Sequence, residues 1–358
     1  MCIVLRSRPS EASRAANRPL TARRGRLNRV ASCIAYMGLA LVGAASVVRP
    51  ANGQEKEWTR ADVDKLFKEV SNWGRWGADD ERGAVNLITS ATRVQAAGLV
   101  KEGRSVSLAR NVEKKEAADN SSPFQHAMLS TGKGAGTQWA TDRFTVSYHG
   151  IAHTHMDSLC HLVHEGKLFN GYAQSQITDA GAGKLSVHHF KEGIFTRGIL
   201  MDIPRLRGLK YLEPGTPIYP EDLTAWENRA GVKVGPGDVV FIRTGKWARR
   251  DEKGAWDIGK EGLAGLHVSC AKWLRERDVA MLGSDAASDV MPSRVPGVPQ
   301  PIHILTLNAM GMPIFDNCDL EQLGKVAEQF KRWEFLVTAA PIPVEGGTGS
   351  PLNPIATY

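Results

Sequence analysis

Five of the chain's ten histidines fall within residues 149–164. The run reads His149-Gly150-Ile151-Ala152-His153-Thr154-His155-Met156-Asp157-Ser158-Leu159-Cys160-His161, with His164 just beyond. Along an extended strand, side chains alternate between faces, so the odd positions share one face. His149, His153, His155 and Asp157 would then crowd together. Burying such polar groups without partners is costly. A divalent ion removes the conflict, because imidazole nitrogen and carboxylate oxygen are ligands that zinc and manganese both accept. The chain is therefore expected to build a metal site here. His161 lies four residues past Asp157, where the chain turns. It can stand beside an ion without ligating it.

The rest of the chain supplies a body large enough to bury that site. Short apolar runs at 198–202, 239–242, 279–282 and 334–337 read as buried strands. Helical patterns fall at 221–229, 265–277 and 319–332, and another at 56–72 with Thr59 as its N-cap. Strands and helices mix without a Pro-rich linker or a repeat, which predicts one α/β domain over 54–358. Residues 111–142 are polar and rich in Gly, Ser and Lys, and read as a long loop. Cys160, Cys270 and Cys318 are an odd number at wide spacing, so small buried thiols are expected and no disulfide framework.

Charge first points elsewhere. The net charge of +7 would fit a nucleic-acid partner. Residues 1–53, however, hold nine arginines and a single acid, Glu11. The body is left at 36 basic against 37 acidic residues, a net of −1. No nucleic-acid partner is expected. An Arg-rich start, an uncharged apolar run at 31–48 and Ala51-Asn52-Gly53 form the three parts of a secretory signal. Residues 1–53 thus read as a signal peptide of an exported, periplasmic protein, cleaved near Gly53. An uncleaved membrane anchor is the alternative. Arg23-Arg24 also permits twin-arginine export.

The motif resembles that of the cyclase superfamily of metal-dependent hydrolases, which contains bacterial kynurenine formamidase (arylformamidase) and isatin hydrolase. The family motif is His-x-Gly-Thr-His-x-Asp-x-x-x-His. Thr154, His155, Asp157 and His161 match it in register. The likeness extends to Trp76-Gly77-Ala78-Asp79-Asp80-Glu81-Arg82-Gly83, Phe169-Asn170-Gly171-Tyr172 and Gly237-Asp238-Val239-Val240-Phe241-Ile242-Arg243-Thr244-Gly245. It ends on His303, Asn308, Gly311, Asp316 and Asn317.

The resemblance implies a swivelling β/β/α (cyclase-like) domain and a homodimer or homotetramer acting on a small molecule. It implies His155, Asp157, His303 and Asp316 as metal ligands and His161 as proton donor and acceptor. Asp316 stands where the family more often has Glu, so its backbone must approach the ion more closely. The family's first metal histidine falls at Ile151, which cannot ligate, and its glycine falls at His153. His149 is the preferred replacement, with His153 the other choice. One or two ions, zinc or manganese, fit this set. Trp76 either lines a substrate pocket or packs in the core. His164 and His188-His189 read as solvated or supporting residues. The implied reaction is hydrolysis of a C–N bond in an N-formyl arylamine, amide or lactam by metal-activated water. A lactonase, isomerase or dehydratase on the same scaffold, or an exported binding protein without turnover, are the rivals.

Overall fold

The computed structural model describes residues 56–134, 136 and 138–358. The expected leader and its cleavage point lie outside the described residues.

A single nine-stranded sheet carries the site. Its strands in chain order are β1 (Ser105–Ser107), β2 (His155–Asp157), β3 (Ile194–Asp202), β4 (Val239–Arg243), β5 (Met281–Ser284), β6 (Ile314–Asp316), β7 (Glu334–Ala339), β8 (Gly349–Pro351) and β9 (Ile355–Thr357). Across the sheet they run β1-β9-β7-β3-β4-β5-β6-β2-β8. The four central strands β3 to β6 are parallel, and the flanking pairs are antiparallel. Parallel strands are normally covered on both faces, and β4 and β5 are buried at every position. That explains why their sequences are continuous apolar runs rather than alternating ones.

Aromatic packing fixes the middle of the sheet. Phe241 stacks parallel to Phe315 with ring centroids 6.1 Å apart, and Phe335 lies 6.0 Å away on the other side. Two glycines make room. A Cβ at Gly198 would come within 2.4 Å of the Phe335 ring, and one at Gly283 within 2.5 Å of Phe241. Helices 90–97 and 220–230 pack on β3. The second is pinned by the Trp226 indole, which donates to the Leu200 carbonyl.

Several expectations shift. The first helix spans Arg60–Val70 behind Thr59, whose hydroxyl and Asp62 form a capping box. The helix expected at 265–277 starts only at Cys270, because Gly265-Leu266 pairs with Pro217-Ile218 as a short parallel bridge. The expected loop 111–142 is corrected in part. It contains a hairpin of Gln125–Thr131 with Ala140–Thr145, exposed along nearly its whole length. All three body cysteines are free and buried, as expected.

The sheet topology determines where chemistry can sit. The parallel strands β4, β5 and β6 all end on the same side, at Arg243, Ser284 and Asp316. The turns after β5 and β6 carry Asp285, Ser288, Asp289 and Asn317. Open parallel sheets bind ligands beyond these carboxyl ends.

Candidate metal centre

Strand β2 lies antiparallel beside β6, with His155 opposite Asp316 and Asp157 opposite Ile314. Directly opposed residues point to the same face. His155, Asp157 and Asp316 therefore converge without any special loop. This answers the shortness of Asp316, since a cross-strand pair holds its backbone next to that of His155. His303 arrives from a short helical turn, Pro301–His303. Its Nε2 lies 3.3 Å from Asp316 Oδ2 and 3.8 Å from Asp157 Oδ2.

The expected strand over 149–157 shortens to 155–157. His149 comes in from a loop instead, yet still reaches the site. Its Nδ1 is 2.9 Å from Asp157 Oδ1, and His155 Nε2 is 3.3 Å from the same oxygen. His153 goes elsewhere. Its Nε2 lies 3.4 Å from the Ser122 carbonyl, and its ring meets the edge of Phe124. The structure thus brings His149, not His153, to the ligand set.

Two groups of potential ligand atoms result, each clustered within 4.8 Å: His149, His155 and Asp157, and Asp157, His303 and Asp316. They share Asp157, whose Oδ1 faces the first group and Oδ2 the second. The fit to a cation is direct. His149 Nδ1 and Asp157 Oδ1 are buried and close, but neither has a well-aligned hydrogen-bond partner. The other ring nitrogen of each histidine is occupied. His155 Nδ1 donates to the His153 carbonyl at 2.8 Å. His303 Nδ1 donates to Asp289 at 2.6 Å. His149 Nε2 pairs with the Thr348 hydroxyl at 2.8 Å. Metal-binding imidazoles are oriented in this way, with one nitrogen tied back and the other offered.

Electrostatics agree. Burial alone would raise Asp157, but His155, His149 and His161 hold its carboxyl well below the usual range. Burial would lower His303, but Asp289 and Asp316 push it well above an ordinary histidine. The pocket draws positive charge toward the ligand atoms. His161 differs: burial lowers it, Asp157 opposes this, and neighbouring histidines add to the lowering. A ring held neutral near pH 7 is able to accept a proton. It stacks on His149 at 3.8 Å between centroids, with Nε2 4.0 Å from Asp157 Oδ1. The His149 and His161 side chains keep 27% and 30% of their exposure, against 1% for Asp157. The site therefore opens past these two rings.

Trp76 is not brought to this cluster. It packs partly buried on the core, and its ring faces Arg75, whose guanidinium is held by Asp278 just ahead of β5. That is the opposite end of the parallel strands. His189 is paired with Glu81 at 2.9 Å and His164 stacks on Phe67, so neither is simply solvated. Asp289, Thr348 and Ser288, whose hydroxyl is 3.3 Å from Asp316 Oδ1, support the site without having been anticipated.

Residues 86–289 match the model of a family described as "Putative cyclase". The chain belongs to the cyclase family. A solved cyclase, described only as novel, is 31% identical over 80% of this chain and 99% of its own, with a TM-score of 0.71. Isatin hydrolase A from Ralstonia solanacearum is 21% identical over 73% of this chain and 93% of its own, with a TM-score of 0.51. Isatin hydrolase A from Labrenzia aggregata gives 19%, 75%, 98% and 0.52 in the same terms. At that distance the likeness to the isatin hydrolases is one of fold alone. No curated protein matches the chain significantly. Among the described residues, no helix is long and apolar enough to cross a membrane.

Proposed function

We propose that this cyclase-family chain is a metal-dependent hydrolase of C–N bonds, acting on an N-formyl arylamine, amide or lactam. The observation that carries the reading is Asp157, which offers one oxygen to each of two ligand groups beside a partly exposed His161 that burial holds below the usual histidine range. A shared carboxylate of this kind suits two ions, with His149 and His155 holding one and His303 and Asp316 the other. Zinc and manganese both suit such mixed imidazole and carboxylate ligation. Divalent ions bound there supply Lewis acidity, which activates water and polarises a carbonyl.

The residues do the rest. Asp289 keeps His303 in the tautomer that presents Nε2. The Thr348 hydroxyl engages Nε2 of His149 and leaves Nδ1 turned toward Asp157. His161 takes the proton of the attacking water and passes it to the leaving nitrogen. Neutrality at the start and proximity to Asp157, which steadies the imidazolium formed, serve both halves of that transfer. The test is elemental analysis of purified protein together with turnover of formanilides, lactams and lactones. Two equivalents of metal and chelator-sensitive cleavage of a formanilide or lactam are expected. Turnover of lactones alone would move the chain to the lactonase reading. Metal uptake without any turnover would leave a binding protein.

A further inference from the structure

Ile151 occupies the position at which the family motif carries its first histidine, yet the loop around it is held as firmly as a ligand would hold it. Lys246 Nζ donates to the Ile151 carbonyl at 2.5 Å and to Asn317 Oδ1 at 2.8 Å. Asn317 Nδ2 donates to the Gly150 carbonyl at 2.7 Å and to the His153 carbonyl at 3.3 Å. The backbone carbonyl of Asn317 accepts from the Thr154 hydroxyl at 2.7 Å. Three carbonyls of the loop, those of Gly150, Ile151 and His153, are thus tied to one lysine–asparagine pair. The Ile151 side chain completes the anchor by packing on the apolar cluster of Trp256, Ile258, Leu263, Ala286 and Ala287.

Lys246 itself is buried and fixed. It opens the helix Lys246–Lys253, and the Asp285 carboxylate accepts from its amide and from those of Thr244 and Gly245 just ahead of it. Its ammonium lies 4.1 Å from the Trp247 ring centroid. A buried lysine is rarely kept without a task, because its desolvation must be offset. Here its ammonium donates to the Ile151 carbonyl directly and to Asn317, which in turn holds Gly150 and His153.

We propose that Lys246 is a positioning residue for the metal centre: through Asn317 and the Ile151 carbonyl it pins loop 150–153, so that His149 reaches Asp157 in place of the missing histidine. The inference rests on the metal-binding reading above. It explains why His149 reaches the site from outside the strand, with Ile151 serving as an anchor instead of a ligand.

The test is a double-mutant cycle on metal affinity. Wild type, Lys246→Met, His149→Ala and the double variant are titrated with Co²⁺ against a chromophoric chelator, and the visible spectrum of each Co²⁺ form is recorded. Lys246→Met is expected to weaken Co²⁺ binding tenfold or more and to shift the spectrum. In the His149→Ala background it is expected to add less than twofold. Trp226→Phe, a core change remote from the loop, should leave affinity and spectrum as in wild type. Equal weakening in both backgrounds, or affinity within twofold of wild type, overturns the proposal. Should Lys246→Met fail to fold, Lys246→Gln keeps an N–H donor on a side chain one atom shorter, and the same cycle decides. Wild type that takes up no Co²⁺ would instead refute the metal-binding reading itself.

Discussion

Asp289→Asn is a sharp probe of the metal centre, because it changes one atom of a residue that touches neither water nor the ligand cluster's open side. Asp289 is fully buried and has three donors to satisfy. Its Oδ1 accepts from Ile302 N at 2.7 Å, and its Oδ2 accepts from His303 N at 3.1 Å and from His303 Nδ1 at 2.6 Å. Asparagine has one acceptor oxygen. If that oxygen keeps Ile302 N, the amide NH₂ meets two donors. His303 must then accept at Nδ1 and carry its proton on Nε2, the nitrogen offered to Asp157 and Asp316. One buried donor left unpaired costs about 1–3 kcal/mol. Loss of an orienting partner behind a ligand histidine costs about 10- to 100-fold in metal affinity. Asp289→Asn should therefore lose one of two metals on dialysis against a weak chelator, while the ion held by His149 and His155 stays. Metal content by atomic emission and a competition titration read both. A variant that keeps two metals with affinities within twofold of wild type would refute the argument that Asp289 sets the His303 tautomer.

Four further outcomes are expected. His161→Asn should keep its metal and fold but lose about 10²- to 10⁴-fold in rate, roughly 3–5 kcal/mol of barrier, measured by steady-state kinetics with parallel metal analysis. His149→Ala should weaken metal binding tenfold or more, whereas His153→Ala should leave it within twofold in the same chelator titration. Burial lowers Lys246 to about 7 from 10.5, so the unfolded chain binds more protons between those values and stability must rise with pH there. With metal removed, wild type should gain about 1.5 kcal/mol on Lys246→Met between pH 7 and pH 8.5, read by urea unfolding. Burial pushes the Cys160 thiol up to about 12 and those of Cys270 and Cys318 well above the usual value, so native leaderless protein should show no reaction with a thiol reagent until it is unfolded.

The ligand strand was legible because its chemistry is local. His155, Asp157 and His161 sit within seven residues, a crowding of polar groups that points to a cation. Choosing between His149 and His153 needed the structure. The contacts that hold this loop come from Lys246 and Asn317, 95 and 167 residues away in sequence. Asp289 gave no signal, since an isolated acid gains meaning only when the turn Pro301–His303 folds back upon it. The buried strands stood out as apolar runs, although β5 begins at Met281, two residues late. Val279 N and Ala280 N bond to the Leu274 and Asp238 carbonyls rather than to the ladder. The hairpin at 125–145 stayed hidden because it buries almost nothing. Without a covered face, nothing imposes the alternation by which a strand is read.

The pairing of β2 with β6 and β8 carries a consequence for how the chain reaches its final state. Its side chains alternate, so a slip of one residue along either neighbour would turn His155 and Asp157 to the wrong face. Backbone hydrogen bonding barely distinguishes the two alignments across three-residue strands. Under the metal-binding reading proposed above, ions would, because only the correct alignment assembles both ligand groups. At a free metal concentration a hundred times the dissociation constant, each ion favours that alignment by about 2.7 kcal/mol. On that reading the metal would proofread the sheet, and a chain matured without it would be expected to carry misaligned edges as well as an empty ligand set.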